Sequence, residues 1–231
     1  MKVLGHRGAA GTAPENTLVS FARGLEHGVD GFEFDVQLSR DGEVVICHDE
    51  RVDRTSNGVG WIKDLSLVEL KRLNFGVLFG IQAEIPTLDE LLAMLRGKPL
   101  ILNVEIKSGL IEYPGIVAKV VDSLENFGVV PRTIISSFDH PILLEAQRLY
   151  PYVETGVLYE CGLLEPWIYA QRLGAKHLHP QFGFVTRELL LESHRAGIGV
   201  NTWTVDHPWA IERISDLAPD MVITNYPERF E

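Results

Sequence analysis

A (β/α)8 barrel is the fold class this sequence predicts, on three observations. Eight short apolar runs alternate with seven helix-like segments along the chain. Its 231 residues lie close to the ~250 typical of that barrel. Charged residues interrupt two of the runs at every second position, which gathers them on one face of a strand.

The first run, Lys2–Gly5, precedes a helical pattern over Glu15–Glu26 that stops at Gly28. Gly31–Val36 is the second run, and its helix is delayed until Leu88–Leu95. Leu100–Ile106 leads to Tyr113–Phe127, and Thr133–Ser137 leads to Pro141–Leu149. Val153–Leu158 leads to Glu165–Leu173, and the weakest run, His177–Leu178, leads to Arg187–Ala196. Ile198–Thr202, Trp209–Ile214 and Met221–Thr224 complete the series. Gly128, Pro151, Gly174 and Gly197 stand where helices should end. Strict alternation implies a parallel sheet, and eight strands in this length imply closure.

The delay after the second run has two parts. Val36–Asp49 reads as a hairpin turning at Asp41-Gly42, a strong two-residue turn signal. With those two residues as the loop, paired positions sum to about 83, so Asp35 is expected directly opposite His48. Residues 50–86 are too long for a simple βα loop and read as a small insertion on the barrel mouth. Ser66 and Glu69 have capping-box spacing within it, as do Thr87 and Glu90 where the main series resumes. The whole chain, 1–231, reads as one catalytic domain.

Charge and composition narrow the function. Hydrophobic residues make up 45% and charged residues 23%, a globular composition. The net charge of -11 argues against a nucleic-acid binder and against stable membrane association. No apolar stretch approaches the ~20 residues of a membrane span, and the N-terminal residues lack the apolar core of a signal peptide. A soluble, cytoplasmic protein is expected, with self-association left open. Cys47, in an apolar run, reads as a buried thiol; a single bridge to Cys161 is not excluded.

In a parallel barrel both faces of each strand are buried, so strands should be almost wholly apolar. Glu33 and Asp35 break that rule in the second strand, as do Asn103, Glu105 and Lys107 in the third. Phe32, Phe34 and Val36 should face the helices, which turns the carboxylates into the barrel near the C-terminal strand ends, where barrel enzymes place their sites. Three carboxylates converging in a low dielectric repel unless a cation lies between them. All-oxygen ligands suit a hard divalent ion, Mg²⁺ or Ca²⁺. His6 ends the first strand and His48 the hairpin. Near one acidic site they are candidates for general acid and base. Arg7 and Lys107 would suit an anionic substrate such as a phosphodiester. Of the other histidines, His27, His140 and His194 are expected in solvent, and His179 is left open.

These residues form an ordered set: His6-Arg7-Gly8, Pro14-Glu15-Asn16-Thr17, Glu33-Phe34-Asp35-Val36, His48-Asp49, Ile85-Pro86-Thr87-Leu88, Asn103-Val104-Glu105-Ile106-Lys107, Ser136-Ser137-Phe138 and Thr224-Asn225-Tyr226-Pro227. Each motif is short, but the set in this order resembles the glycerophosphodiester phosphodiesterase family over essentially the whole chain, and its length resembles the short cytoplasmic type. The resemblance implies a (β/α)8 barrel with an insertion after the second strand. It implies metal-dependent hydrolysis of a small-molecule glycerophosphodiester to an alcohol and sn-glycerol 3-phosphate. It implies Glu33, Asp35 and Glu105 as metal ligands and His6 and His48 as the acid–base pair. Arg7 and Lys107 would hold the phosphate, Glu15 would orient the first catalytic pair, and Glu15 and Trp203, which closes the seventh strand, are grouped with them as substrate-binding residues. Three other readings compete: a lysophospholipase D-like enzyme of the same fold, a lyase using Lys107 as a Schiff base, and a non-catalytic ligand-binding barrel.

Overall fold

The computed structural model describes Met1–Phe230. Strand β1 (Lys2–His6) leads through a loop to α1 (Leu18–Glu26), and β2 (Gly31–Leu38) turns back on itself as β3 (Val44–Ile46). After the insertion, with its short helix α2 (Leu67–Leu70), the chain runs through α3 (Leu88–Met94), β4 (Ile101–Ile106), α4 (Ile116–Asn126), β5 (Thr133–Ser137) and α5 (His140–Leu149). It continues through β6 (Glu154–Tyr159), α6 (Pro166–Leu173), β7 (His177–Pro180), α7 (Arg187–Arg195), β8 (Gly199–Thr202), α8 (Pro208–Leu217) and β9 (Met221–Thr224). Parallel pairing runs β1-β2-β4-β5-β6-β7-β8-β9 and returns to β1, so eight strands close a barrel with β3 outside the ring. It is the (β/α)8 barrel that the alternation predicts. The last strand is followed by a single 3-10 turn, Pro227–Phe230.

Local chemistry sets the helix starts. Thr17 accepts from the Ser20 amide at the head of α1. Both predicted capping boxes form: Ser66 with Glu69 starts α2, and Thr87 with Glu90 starts α3. Phe21 on α1 meets Phe32 and Phe34 of β2 edge to face, at 5.2 and 5.9 Å between ring centres. That contact turns the aromatic face of β2 outward and the carboxylate face inward.

The hairpin register corrects the two-residue reading. Val36 pairs with Ile46, Gln37 with Val45 and Leu38 with Val44. The loop is Arg40-Asp41-Gly42, three residues, closed by the Ser39 amide donating to Glu43 O at 3.0 Å. A two-residue turn of the hairpin type needs a positive φ at its first central residue, here Asp41, whether or not the second also adopts one. Only Gly42 adopts one, at φ 80°. Asp41 is engaged elsewhere: it accepts from Ser39 Oγ at 2.6 Å and from the Leu67 amide at 3.0 Å, tying the turn to α2. Every pair therefore shifts by one, and Asp35 faces Cys47, whose amide donates to Asp35 O at 3.0 Å. His48 lies beyond the ladder.

The insertion has its own apolar centre. Val45, Cys47, Val52, Ile62, Leu70, Phe75 and Ile85 pack together above the barrel rim, separately from the main core between strands and helices. Cys47 is buried there and Cys161 is exposed; both are free. Burial pushes the Cys47 thiol up to about 12, so it stays protonated. Among the described residues no helix is long and apolar enough to cross a membrane.

Candidate active site at the barrel mouth

The inward face of β2 carries Glu33, Asp35 and Gln37, and that of β4 carries Asn103 and Glu105; all five are buried. Asp35 and Glu105 are direct partners in the β2–β4 register. One carboxylate oxygen from each of Glu33, Asp35 and Glu105 lies within 4.8 Å of the others. Their charges cannot all be accommodated alone. Burial, then Asp35 and Glu105, push Glu33 well above the usual carboxylate range. Burial and Asp35 raise Glu105 against the pull of Lys107. Asp35 is held down at about 2: burial opposes ionisation, but Arg7, His48 and Lys107 outweigh it. Glu33 Oε2 and Asp35 Oδ1 are buried and accept no hydrogen bond. Unsatisfied anionic oxygens converging on one point fit a hard divalent cation.

Two cations flank the triad. Lys107 Nζ donates to Glu105 Oε1 at 2.8 Å and lies 3.8 Å from Asp35 Oδ1. Arg7, in a left-handed backbone conformation at φ 51°, places Nε 3.3 Å from Asp35 Oδ2 and donates from Nη1 to Glu15 Oε1 at 2.8 Å. Asn16 Nδ2 donates to Asp35 Oδ2 at 2.9 Å. The Asn16 hydrogen bond and the Arg7 ion pair occupy Asp35 Oδ2 and leave Oδ1 facing the triad.

Both histidines present the same nitrogen. Asn225 donates its backbone N–H and Nδ2 to Asp206, at 2.9 and 2.7 Å. Its Oδ1 must therefore be the atom 2.7 Å from His6 Nδ1, which makes that nitrogen the protonated one. His6 Nε2 is left as the acceptor, 3.6 Å from Glu33 Oε2. Burial, reinforced by Arg7, lowers His6 to about 4, so it is neutral near pH 7. His48 Nδ1 donates to Asp49 Oδ1 at 2.7 Å, since a carboxylate can only accept. His48 Nε2 is then the free nitrogen.

His48 sits just past β3, and Gln37 holds the turn that carries it. Gln37 Nε2 donates to the carbonyls of Cys47, His48 and Asp49 at 2.8, 3.1 and 2.8 Å, while Oε1 accepts from Tyr113 Oη at 2.8 Å. The hairpin thus delivers the histidine through a buried amide and not through the strand pairing.

His6, Arg7, Glu33, His48, Glu105 and Trp203 line one cavity, with Asn103 and the apolar residues Phe138, Leu158 and Ile223. Trp203 stands edge to face with Phe138 at 5.5 Å and donates Nε1 to His179 O at 2.8 Å. All nine predicted site residues are brought together: Asp35 and Lys107 adjoin Glu105, and Glu15 joins through Arg7. The sequence reading did not single out Gln37, Arg54, Asp206 or Tyr113. Asn16, Asp49, Asn225 and Phe138 appeared only inside motifs, without roles. The signal for Gln37 was present, because it continues the Glu33-Asp35 alternation into a third inward position. His140 also differs from expectation: it is half-buried, with Nε2 2.8 Å from Leu158 O. A roomier groove between α5 and α6, lined by His140, Leu144 and Tyr169, holds no cluster of this kind.

A barrel with a buried carboxylate triad, two oriented imidazoles and two cations at its C-terminal mouth defines a hydrolase for an anionic ester. The glycerophosphoryl diester phosphodiesterase family model matches residues 6–229. The glycerophosphodiester phosphodiesterase of Caldanaerobacter subterraneus subsp. tengcongensis is 42% identical, covering 98% of this chain and 94% of its own. That of Bacillus altitudinis is 34% identical over 99% and 96%. A putative enzyme of this type from Silicibacter pomeroyi superposes with a TM-score of 0.91 at 29% identity, covering 99% of this chain and 91% of that one. An Oleispira antarctica phosphodiesterase, solved with the product sn-glycerol-3-phosphate, gives 0.86 at 28% identity over 99% and 94%. The chain belongs to the glycerophosphoryl diester phosphodiesterase family, and its enzyme class is phosphoric diester hydrolase.

Proposed function

We propose that the chain hydrolyses small-molecule glycerophosphodiesters to an alcohol and sn-glycerol 3-phosphate, as a single catalytic domain with one divalent cation, Mg²⁺ before Ca²⁺. The observation that carries this reading is the pairing of an oxygen-only triad with two histidines that both offer Nε2. Glu33, Asp35 and Glu105 would hold the cation, which when bound draws charge from the phosphoryl oxygens. Arg7 and Lys107 would hold the remaining phosphate oxygens. Trp203 and Phe138 would give the carbon skeleton an apolar wall. The relative solved with sn-glycerol-3-phosphate supports the choice of product.

With the two histidines assigned to proton transfer and Lys107 to the phosphate, the nucleophile in this reading comes from water or from the substrate. The glycerol 2-hydroxyl adjoins the phosphate and has the advantage of an intramolecular reaction. In this route one histidine, neutral, takes the hydroxyl proton at Nε2, and the other, entering the step as the imidazolium, gives its Nε2 proton to the departing alcohol. The P–O bond to the alcohol breaks as the bond to the 2-oxygen forms, giving a cyclic 1,2-phosphate. Water then opens the ring with the histidines in exchanged roles. Selectivity would come from the glycerol side, so glycerophosphocholine, glycerophosphoethanolamine and glycerophosphoglycerol should all be cleaved, with activity lost in excess EDTA. A 2-deoxyglycerol analogue should bind as a competitive inhibitor and turn over very slowly. Rapid turnover of that analogue would favour direct attack by water.

A further inference from the structure

The insertion sends one side chain into the site's polar network. Arg54 donates from Nη1 and Nη2 to the two oxygens of Glu15, each at 2.8 Å. From Nε and Nη2 it donates to the two oxygens of Asp49, at 2.6 and 2.9 Å. Glu15 Oε1 is the oxygen that also receives Arg7, and Asp49 Oδ1 is the oxygen that also receives His48. One planar guanidinium therefore lies between the Arg7 side of the cavity and the His48 side. Only arginine has a fork that can grip two carboxylates bidentately; lysine offers a point charge.

We propose that Arg54 is a positioning residue for the hydrolytic reaction, orienting His48 through Asp49 and Arg7 through Glu15. The inference rests on the function proposed above for its kinetic readout, but not for its structural one. His48 needs such a device because it follows β3 and has no strand neighbour to fix it. Gln37 fixes its backbone, and the ring is held at Nδ1 by Asp49 alone. Asp49 in turn is fixed by Arg54, which holds the carboxylate well below its usual range together with His48, although burial opposes. The Arg54 side chain is 46% exposed, and exposed ion pairs contribute little to stability. Its chief effect should accordingly be on geometry. A small misplacement of a reacting group is costly in rate.

The test compares Arg54→Ala and Arg54→Lys with Arg51→Ala. Arg51 is also on the insertion, paired with Asp53 and stacked over Trp61, away from the cavity. Arg54→Ala and Arg54→Lys should each lower kcat roughly 10- to 100-fold, with KM changed less and the melting temperature nearly unchanged. Added guanidinium ion should restore part of the Arg54→Ala activity and none of the Arg54→Lys activity. Arg51→Ala should match the parent. Imidazole ¹⁵N NMR gives a readout independent of substrate: His48 should be a single Nδ1–H tautomer in the parent and a mixture in Arg54→Ala. A kcat for Arg54→Ala within twofold of the parent, or an unchanged His48 tautomer, would overturn the proposal. Equal losses in Arg51→Ala and Arg54→Ala would overturn it too, by making the insertion's integrity the cause. If the parent cleaves no glycerophosphodiester while the tautomer still responds, it is the proposed function that fails.

Discussion

Two sides of the same barrel interior carry polar residues, and they behave differently. On β2 and β4 the inward residues include three carboxylates beside the neutral Gln37 and Asn103, with Lys107 and Arg7 at the rim. On β7 and β8 they are neutral: His179 and Asn201 are buried, and Asn201 Nδ2 lies 3.1 Å from His179 Nε2 and 3.2 Å from His177 Nδ1. Both sides leave atoms unsatisfied, including Glu33 Oε2 and Asp35 Oδ1 on one and His179 Nδ1 and Asn201 Oδ1 on the other. A neutral imidazole or amide in such a place is satisfied by an ordered water. Converging carboxylate oxygens require positive charge. The same interruption of an apolar strand therefore marks a candidate site on one side and a packed polar layer on the other. Charge, not polarity alone, separates the two.

The largest effect that would break this contrast lies on the charged side. Glu33→Gln should remove metal-dependent hydrolysis while raising the melting temperature of the metal-free protein, because burial and two neighbouring carboxylates oppose ionisation of Glu33. His6→Ala and His48→Ala should each lower kcat by roughly 10²-fold or more, as loss of a general acid or base does. The double variant should be little worse than the more impaired single, since the two act in one mechanism. Full activity after exhaustive dialysis into EDTA would remove the triad's assigned role. Near-normal kcat in either histidine variant would remove that histidine.

Much of the charged side was legible in the sequence because strand alternation is a strict period of two. Glu33 and Asp35 in one strand, and Glu105 in the next, had to share a face once both strands were recognised. The barrel followed from equally local signals: helix stops at glycine, capping boxes and apolar runs. What the sequence hid depends on contacts between distant segments. Asp41 and Gly42 carry a genuine turn signal, but whether the loop has two residues or three was decided by the bond from Asp41 to Leu67 on another element. Asn225 orients His6 only because Asp206, 19 residues away, holds its amide. Arg54 stands among Arg51 and Asp53 in a polar stretch, with no periodicity to distinguish it. His179 was left open because the run recognised there, His177–Leu178, is too short to reveal an inward position.

A smaller effect tests the neutral side. Gly156 on β6 leaves the space that the His179 ring fills: a Cβ built there would lie 2.3 Å from His179 Nε2. Gly156→Ala should force the ring away from Asn201 and destabilise the fold by about 1–3 kcal/mol, as overpacking does. For a chain of this size that is roughly 2–4 °C per kcal/mol in melting temperature. The value of kcat per folded molecule should be unchanged, because none of the catalytic candidates touches that ring. A collapse of kcat without loss of stability would show the two sides to be coupled, and the contrast drawn above would fail.

The smallest effect is in the response to acid. Burial, reinforced by His177, holds His179 well below its ordinary value, so the folded protein keeps it neutral while the unfolded chain protonates it near pH 6.5. Below that pH the unfolded state binds the extra proton, and stability rises with pH. Stability should therefore fall as pH is lowered from 7 to 5, by at most about 1.4 kcal/mol per pH unit from this group. His6, also lowered, contributes with the same sign, so the parent's slope alone does not isolate His179. The difference between the parent and His179→Gln does. Glutamine can still accept from Asn201 Nδ2 and carries no titrating group, so its melting temperature should fall less steeply over that interval. Urea midpoints at half-unit pH steps would measure both curves. Parallel curves would mean that His179 can be protonated inside the fold, and the β7–β8 side would then not be the neutral layer that separates it from the site.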